Sequence, residues 1–218
     1  MRVAICPYCT RKSTTHSQET IVAEEIKQAR PEANPAALGL ICFGLTTVLL
    51  SLINAGVVPS GGLEVVLPLA FIYGGLMQIL AGVLEAKVGN TFGMTAFVSY
   101  GAFWVWFALL LWLGGMKSLD LSGAGTAINV ALLLWGVFTL YMWVGTFKLP
   151  KALWWIFLTL WITYFLLGIG GLTGAKAVSH AGGWLGIICG AIAMYTSFAI
   201  VTNSTFNRAV LPIGPRGG

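Results

Sequence analysis

Long apolar runs dominate this chain, and its charged residues mark where they stop. With every Asp, Glu, Lys and Arg taken as a boundary, residues 33–63, 65–84, 88–116, 121–147, 152–175 and 177–207 carry no charged side chain. A helix rises about 1.5 Å per residue and a bilayer core is about 30 Å thick, so roughly 20 apolar residues cross it. No strand-like alternation appears, and a backbone in lipid must satisfy its own hydrogen bonds. Six membrane helices are therefore predicted, centred on Leu38 to Val57, Val65 to Leu84, Phe92 to Leu113, Thr126 to Thr146, Ala152 to Gly170 and Ala181 to Thr202. They divide the chain into an amino-terminal arm (1–33), a six-helix transmembrane domain (34–207) and a tail (208–218).

Composition excludes the alternative of a soluble domain. Of 218 residues, 57% are hydrophobic and 9% charged, against about a quarter charged in soluble domains. Such a chain has too few polar residues to cover an apolar core. Of the 12 Lys and Arg residues, all but Lys117 and Lys176 lie in the arm, the second and fourth interhelical segments and the tail. Positive segments stay in the cytoplasm, which predicts a plasma-membrane protein with both termini inside. The net charge of +5 is thus a topology signal, and no basic run interleaved with aromatics points to nucleic acid. The first 34 residues lack an apolar signal core, so no cleaved targeting peptide is expected.

Three helices in each half of a chain that starts inside place the second half upside down, the arithmetic of a 3+3 inverted repeat around one pore per protomer. Phe43-Gly44-Leu45-Thr46-Thr47 is weakly echoed by Trp135-Gly136-Val137-Phe138-Thr139. Gly182, Gly186 and Gly190 recur on one face of the sixth helix, where missing side chains let backbones approach, and the reading is packing first, a glycine-lined pore second. Trp143, Trp154, Trp155 and Trp112 read as interfacial belt residues.

Candidate chemistry is sparse. Cys6-Pro7-Tyr8-Cys9 has the spacing of a redox pair, but the arm has no room for the fold that such chemistry needs, and His16 alone does not complete a zinc site. Glu19 to Arg30 is a short amphipathic segment suited to a membrane surface. Asn203-Ser204-Thr205 matches a glycosylation acceptor on the wrong side of the membrane. Paired intramembrane acids or histidine clusters are missing and His180 is isolated, so neither an enzyme nor a metal or cofactor is expected. Glu85 ends the second helix beside Lys87, either snorkelling to pair with the lysine or serving proton coupling at an entrance. Asn34-Pro35 opens the first helix with a capping residue and a proline that loses no hydrogen bond, and its free N–H groups also suit a small anion. Thr46, Thr47, Asn54, Gln78, Ser99, Tyr100, Asn129, Thr139 and Thr159 are uncharged polar residues within the helices, fit either to hold helices together or to line a path for a small polar solute.

Asn34-Pro35-Ala36-Ala37-Leu38-Gly39-Leu40 resembles the N-P-A-P-L-G-L signature of the acetate uptake transporter family, the succinate-acetate permeases. Phe71-Ile72-Tyr73-Gly74-Gly75, Gly89-Asn90-Thr91-Phe92-Gly93, Ser99-Tyr100-Gly101, Gly183-Trp184-Leu185-Gly186 and Leu211-Pro212-Ile213-Gly214 follow in family order, from about residue 33 to 214; Ala37 stands where the signature has its second proline. The resemblance implies transport of acetate, and in some members succinate, with protons, in a homohexamer embedded in lipid with one pore per protomer. It places a hydrophobic constriction on Phe43, Tyr100 and Leu160, the family's carboxylate on Glu85 and the signature asparagine on Asn34. A proton-coupled symporter is the leading expectation and a passive acetate channel with a hydrophobic gate the alternative; a structural or redox multispan protein using Cys6 and Cys9 is a third.

Overall fold

The computed structural model describes residues 33–214. The chain separates into Met1–Asn34 and Pro35–Gly218, and the architecture below is that of the second unit. Cys6, Cys9, His16 and the Glu19 to Arg30 segment lie outside the described residues.

Among the described residues six helices are long and apolar enough to span a bilayer: α1 (Ala36–Asn54), α2 (Ser60–Lys87), α3 (Thr91–Gly115), α4 (Gly125–Lys148), α5 (Lys151–Thr173) and α6 (Lys176–Thr205). The expected spans are all present, with displaced ends. α6 begins at Lys176 rather than Ala181 because a charge ends the lipid-soluble stretch without ending the helix, whose first turns lie at the interface. α5 stops where Gly174 takes φ +68°, a left-handed conformation that favours glycine.

α2 is the irregular one. It opens with a 3₁₀ turn at Ser60–Gly62, runs as an α-helix through Leu63–Leu69, widens into a π-helix over Ala70–Met77 and returns to α geometry at Gln78–Lys87. Pro68 sits in this helix without an N–H and crowds the carbonyl four residues back, and the widened turns follow directly.

Packing makes a ring in the order α3, α2, α1, α6, α5, α4, closing where α4 meets α3. At α1 and α6 the backbones nearly touch: a Cβ on Gly190 would stand 2.8 Å from the Gly44 carbonyl oxygen, and one on Gly186 would collide with Ser51 Oγ. The glycine face of α6 is thus a packing surface, as its first reading had it. The α3–α4 seam is the opposite case, where backbones stay apart and large side chains fill the gap, Tyr100 against Trp135 and Phe138 and Phe103 against Trp135. Outward faces carry Val65, Ile72, Leu134, Val137 and Phe198, all exposed, as a lipid-facing surface requires.

After α6 the chain folds back. Asn203 Nδ2 donates to the Leu211 carbonyl at 2.9 Å while its Oδ1 accepts from the Val210 and Leu211 N–H groups at 2.7 and 2.8 Å. Tyr195 Oη donates to Pro212 O, and the Ala152 N–H at the start of α5 donates to Ile213 O. Asn203 is thereby an internal anchor.

Candidate functional site

Two cavities occupy the middle of the ring. The first, of about 60 Å³, lies among Ala36 at the start of α1, Asn90 and Gly93 at the start of α3 and Leu153 near the start of α5. The second, of about 270 Å³, reaches Asn54 at the end of α1, Asn129 near the start of α4, Gly171 near the end of α5 and Ser179 near the start of α6. They therefore open toward opposite sides of the membrane. Phe43 and Leu160 line both, and Tyr100 lines the first.

These three side chains come from α1, α5 and α3 and are 5%, 4% and 3% exposed, buried where the two cavities meet. The Phe43 and Tyr100 ring centroids are 5.9 Å apart, and Phe157 and Trp135 also flank Tyr100, at 6.1 and 6.0 Å. The weak echo between α1 and α4 now has a spatial meaning, since Phe43 and Trp135, the aromatic residues aligned in it, stand beside the same tyrosine. Tyr100 Oη donates to Thr139 Oγ1 at 2.9 Å, and Thr139 Oγ1 donates to the Trp135 carbonyl at 2.7 Å. The tyrosine proton is already committed, which leaves its oxygen only as an acceptor toward a passing solute.

Charge is missing from both walls among the described residues: no described Lys, Arg, His, Asp or Glu lines either cavity. Glu85 stands behind the first cavity, 1% exposed, with Oε2 accepting from Asn90 Nδ2 at 2.7 Å and Oε1 without a hydrogen-bond partner. Asn90 Oδ1 in turn accepts from the Gly93 N–H at 3.0 Å and caps α3. The carboxyl group is buried rather than snorkelling, and a side-chain relay connects it to two residues of the cavity wall.

Thr47 lines the second cavity with its hydroxyl unpartnered. Thr46 lines neither cavity. One helical position away, it turns toward Gly74 of α2 and donates to the Cys42 carbonyl at 2.8 Å. Asn34 ends the first unit of the chain and is not among the residues lining the cavities. Gln78, grouped in sequence with eight other polar residues, proves to be the largest wholly buried side chain among the described residues, and it lines the first cavity. Its place beside the π-helix gives it a distinction that no linear pattern displays.

Six spans among the described residues, around two cavities that face opposite sides, define an integral membrane protein of the transporter class. Residues 19–214 match the model of the GPR1/FUN34/yaaH family, and the chain belongs to that family. It is 48% identical over 184 residues to the succinate-acetate/proton symporter SatP of Escherichia coli (strain K12), covering 84% of this chain and 95% of that protein. It is 38% identical over 203 residues to acetate permease A of Emericella nidulans, covering 85% and 67%. A solved structure of the bacterial acetate channel SatP superposes with a TM-score of 0.80 at 46% identity, over 84% of this chain and all of that one.

Proposed function

We propose that this protein carries acetate across the membrane as the undissociated acid, so that one proton accompanies each molecule, with Phe43, Tyr100 and Leu160 as the constriction. The observation that carries this reading is that the described residues lining the cavities on both sides of Phe43 and Leu160 carry no charge. Protonating a carboxylate of pKa about 4.3 at about pH 7 costs roughly 3.7 kcal/mol. Moving its bare anion into an apolar passage costs far more, with an idealised limit on the order of tens of kcal/mol. Protonation is the cheaper route.

Glu85 is the proton-coupling candidate in this reading, handing or taking a proton through Asn90 at the first cavity, which faces the cytoplasm if the termini lie inside. Thr47 meets the solute in the second cavity, and Asn34 stands at the entrance by resemblance. Succinate is the poorer substrate. The first cavity, about 60 Å³, is much the smaller of the two, so a four-carbon diacid has to widen it more than acetate does. Assembly as a homohexamer in the plasma membrane, with both termini cytoplasmic, completes the proposal. The likeness to a protein described as a channel supports a second mode, passive passage of the anion through the same throat.

Labelled acetate uptake into proteoliposomes under an imposed pH gradient tests the proposal. Uptake should follow the gradient, and Glu85→Gln, which keeps an oxygen for Asn90 but loses the titrating group, should fold and transport with a weakened response. Acetate entry indifferent to the gradient would overturn the proton-linked mode and favour the anion channel.

A further inference from the structure

We propose that Gln78 is the residue that reads the carboxyl group in the throat, its primary amide donating to the carbonyl oxygen of an undissociated acid and accepting from the acid's O–H. The inference deepens the function proposed above and rests on it for the nature of the solute. Gln78 is 0% exposed and lines the same cavity as Phe43, Tyr100 and Leu160. Neither Nε2 nor Oε1 has a hydrogen-bond partner, an arrangement that destabilises a buried amide and persists in proteins where something else needs it.

The other polar side chains of that cavity are engaged. Tyr100 is held by Thr139, and Asn90 is fixed between Glu85 and Gly93. Among the described side chains lining the cavity, Gln78 alone keeps both a donor and an acceptor unused. It also follows directly on the π-helix of α2, a widened turn of the kind that recurs at functional sites. The amide is thus buried in the wall of the cavity that the solute has to enter.

An amide and a carboxylic acid are complementary, because each offers one donor and one acceptor at matching spacing, and together they close a ring of two hydrogen bonds. An acetate anion can take only the N–H half and sets a negative oxygen against Oε1. An ester can likewise take only the N–H half. Gln78 therefore selects the protonated acid over its anion, which is the selection that a charge-free passage needs.

The test uses the full-length protein in liposomes, wild type and Gln78→Met, with labelled acetate and two neutral competitors. Acetamide presents the same donor and acceptor pair as the acid, whereas methyl acetate presents an acceptor alone. In the wild type acetamide should compete and methyl acetate should not. Gln78→Met should raise the half-saturating acetate concentration about tenfold or more and abolish the difference between the competitors. Methionine fills the same volume without unsatisfied atoms, so the variant's thermal midpoint should hold or rise. Equal competition by the two probes in the wild type, an unchanged half-saturating concentration in the variant, or a large fall in its midpoint would each overturn the assignment. Wild-type acetate uptake in itself reads the function proposed above, whereas the competitors and the variant read Gln78.

Discussion

Replacing Phe43 by alanine tests how a dry throat selects the protonated acid. The Phe43 ring is 5% exposed and separates cavities of about 60 and 270 Å³, both of which it lines. Removing it leaves Tyr100 and Leu160 without their α1 partner and joins the two spaces into one that water can fill. In the wild type an anion faces a desolvation cost well above the roughly 3.7 kcal/mol that protonation demands at about pH 7. In the variant, continuous water removes most of that cost, so the abundant anion crosses and the scarce acid no longer limits the flux. Wild-type uptake should fall about tenfold for each pH unit above the acid's pKa, following the protonated fraction. Phe43→Ala should flatten that profile and carry negative charge, read as an acetate-dependent potential in proteoliposomes free of ionophore. A Phe→Ala change in a closed core costs about 3–5 kcal/mol, and here the cost should be smaller because the space left is open to water. An unchanged pH profile without charge movement in a well-folded variant would refute the reasoning, since the ring would then not be what keeps the anion out.

The Tyr100–Thr139 bond makes an asymmetric pair of predictions for thermal melting of the purified protein. Thr139→Val strands a buried phenol hydroxyl and should cost about 1–3 kcal/mol, whereas Tyr100→Phe leaves Thr139 still donating to Trp135 O and should cost about 0.5–1.5 kcal/mol. Gly190→Leu drives a side chain into the Gly44 backbone of α1 and should abolish the folded protein, scored by size-exclusion yield. Asn203→Ala removes three hydrogen bonds that hold the segment after α6, and trypsin should then cleave at Arg208 faster than in the wild type while acetate uptake is little changed.

Much of the architecture was legible from where charge is absent, because a membrane span must exclude it over a fixed length. Helix ends were not, since Lys176 and Lys148 continue their helices into the interface. Ordered motifs pointed to Phe43 and Tyr100, which the structure brings within ring contact; Thr46 and Thr47, treated alike in the sequence, part because neighbouring positions on a helix face different directions, and only Thr47 lines a cavity. Pro68 was visible, but no linear pattern says that the turns beyond it widen, and so Gln78 looked like any other buried amide. The commitment of Tyr100's proton to Thr139 spans 39 positions and belongs to tertiary structure alone.

The central claim is that the solute crosses without charge. Simultaneous recording of acetate uptake, internal pH and membrane potential in liposomes containing the purified protein tests it most directly. One proton entering with each acetate and no acetate-driven potential is the predicted result; a potential corresponding to one negative charge per acetate, with no proton following, would contradict it.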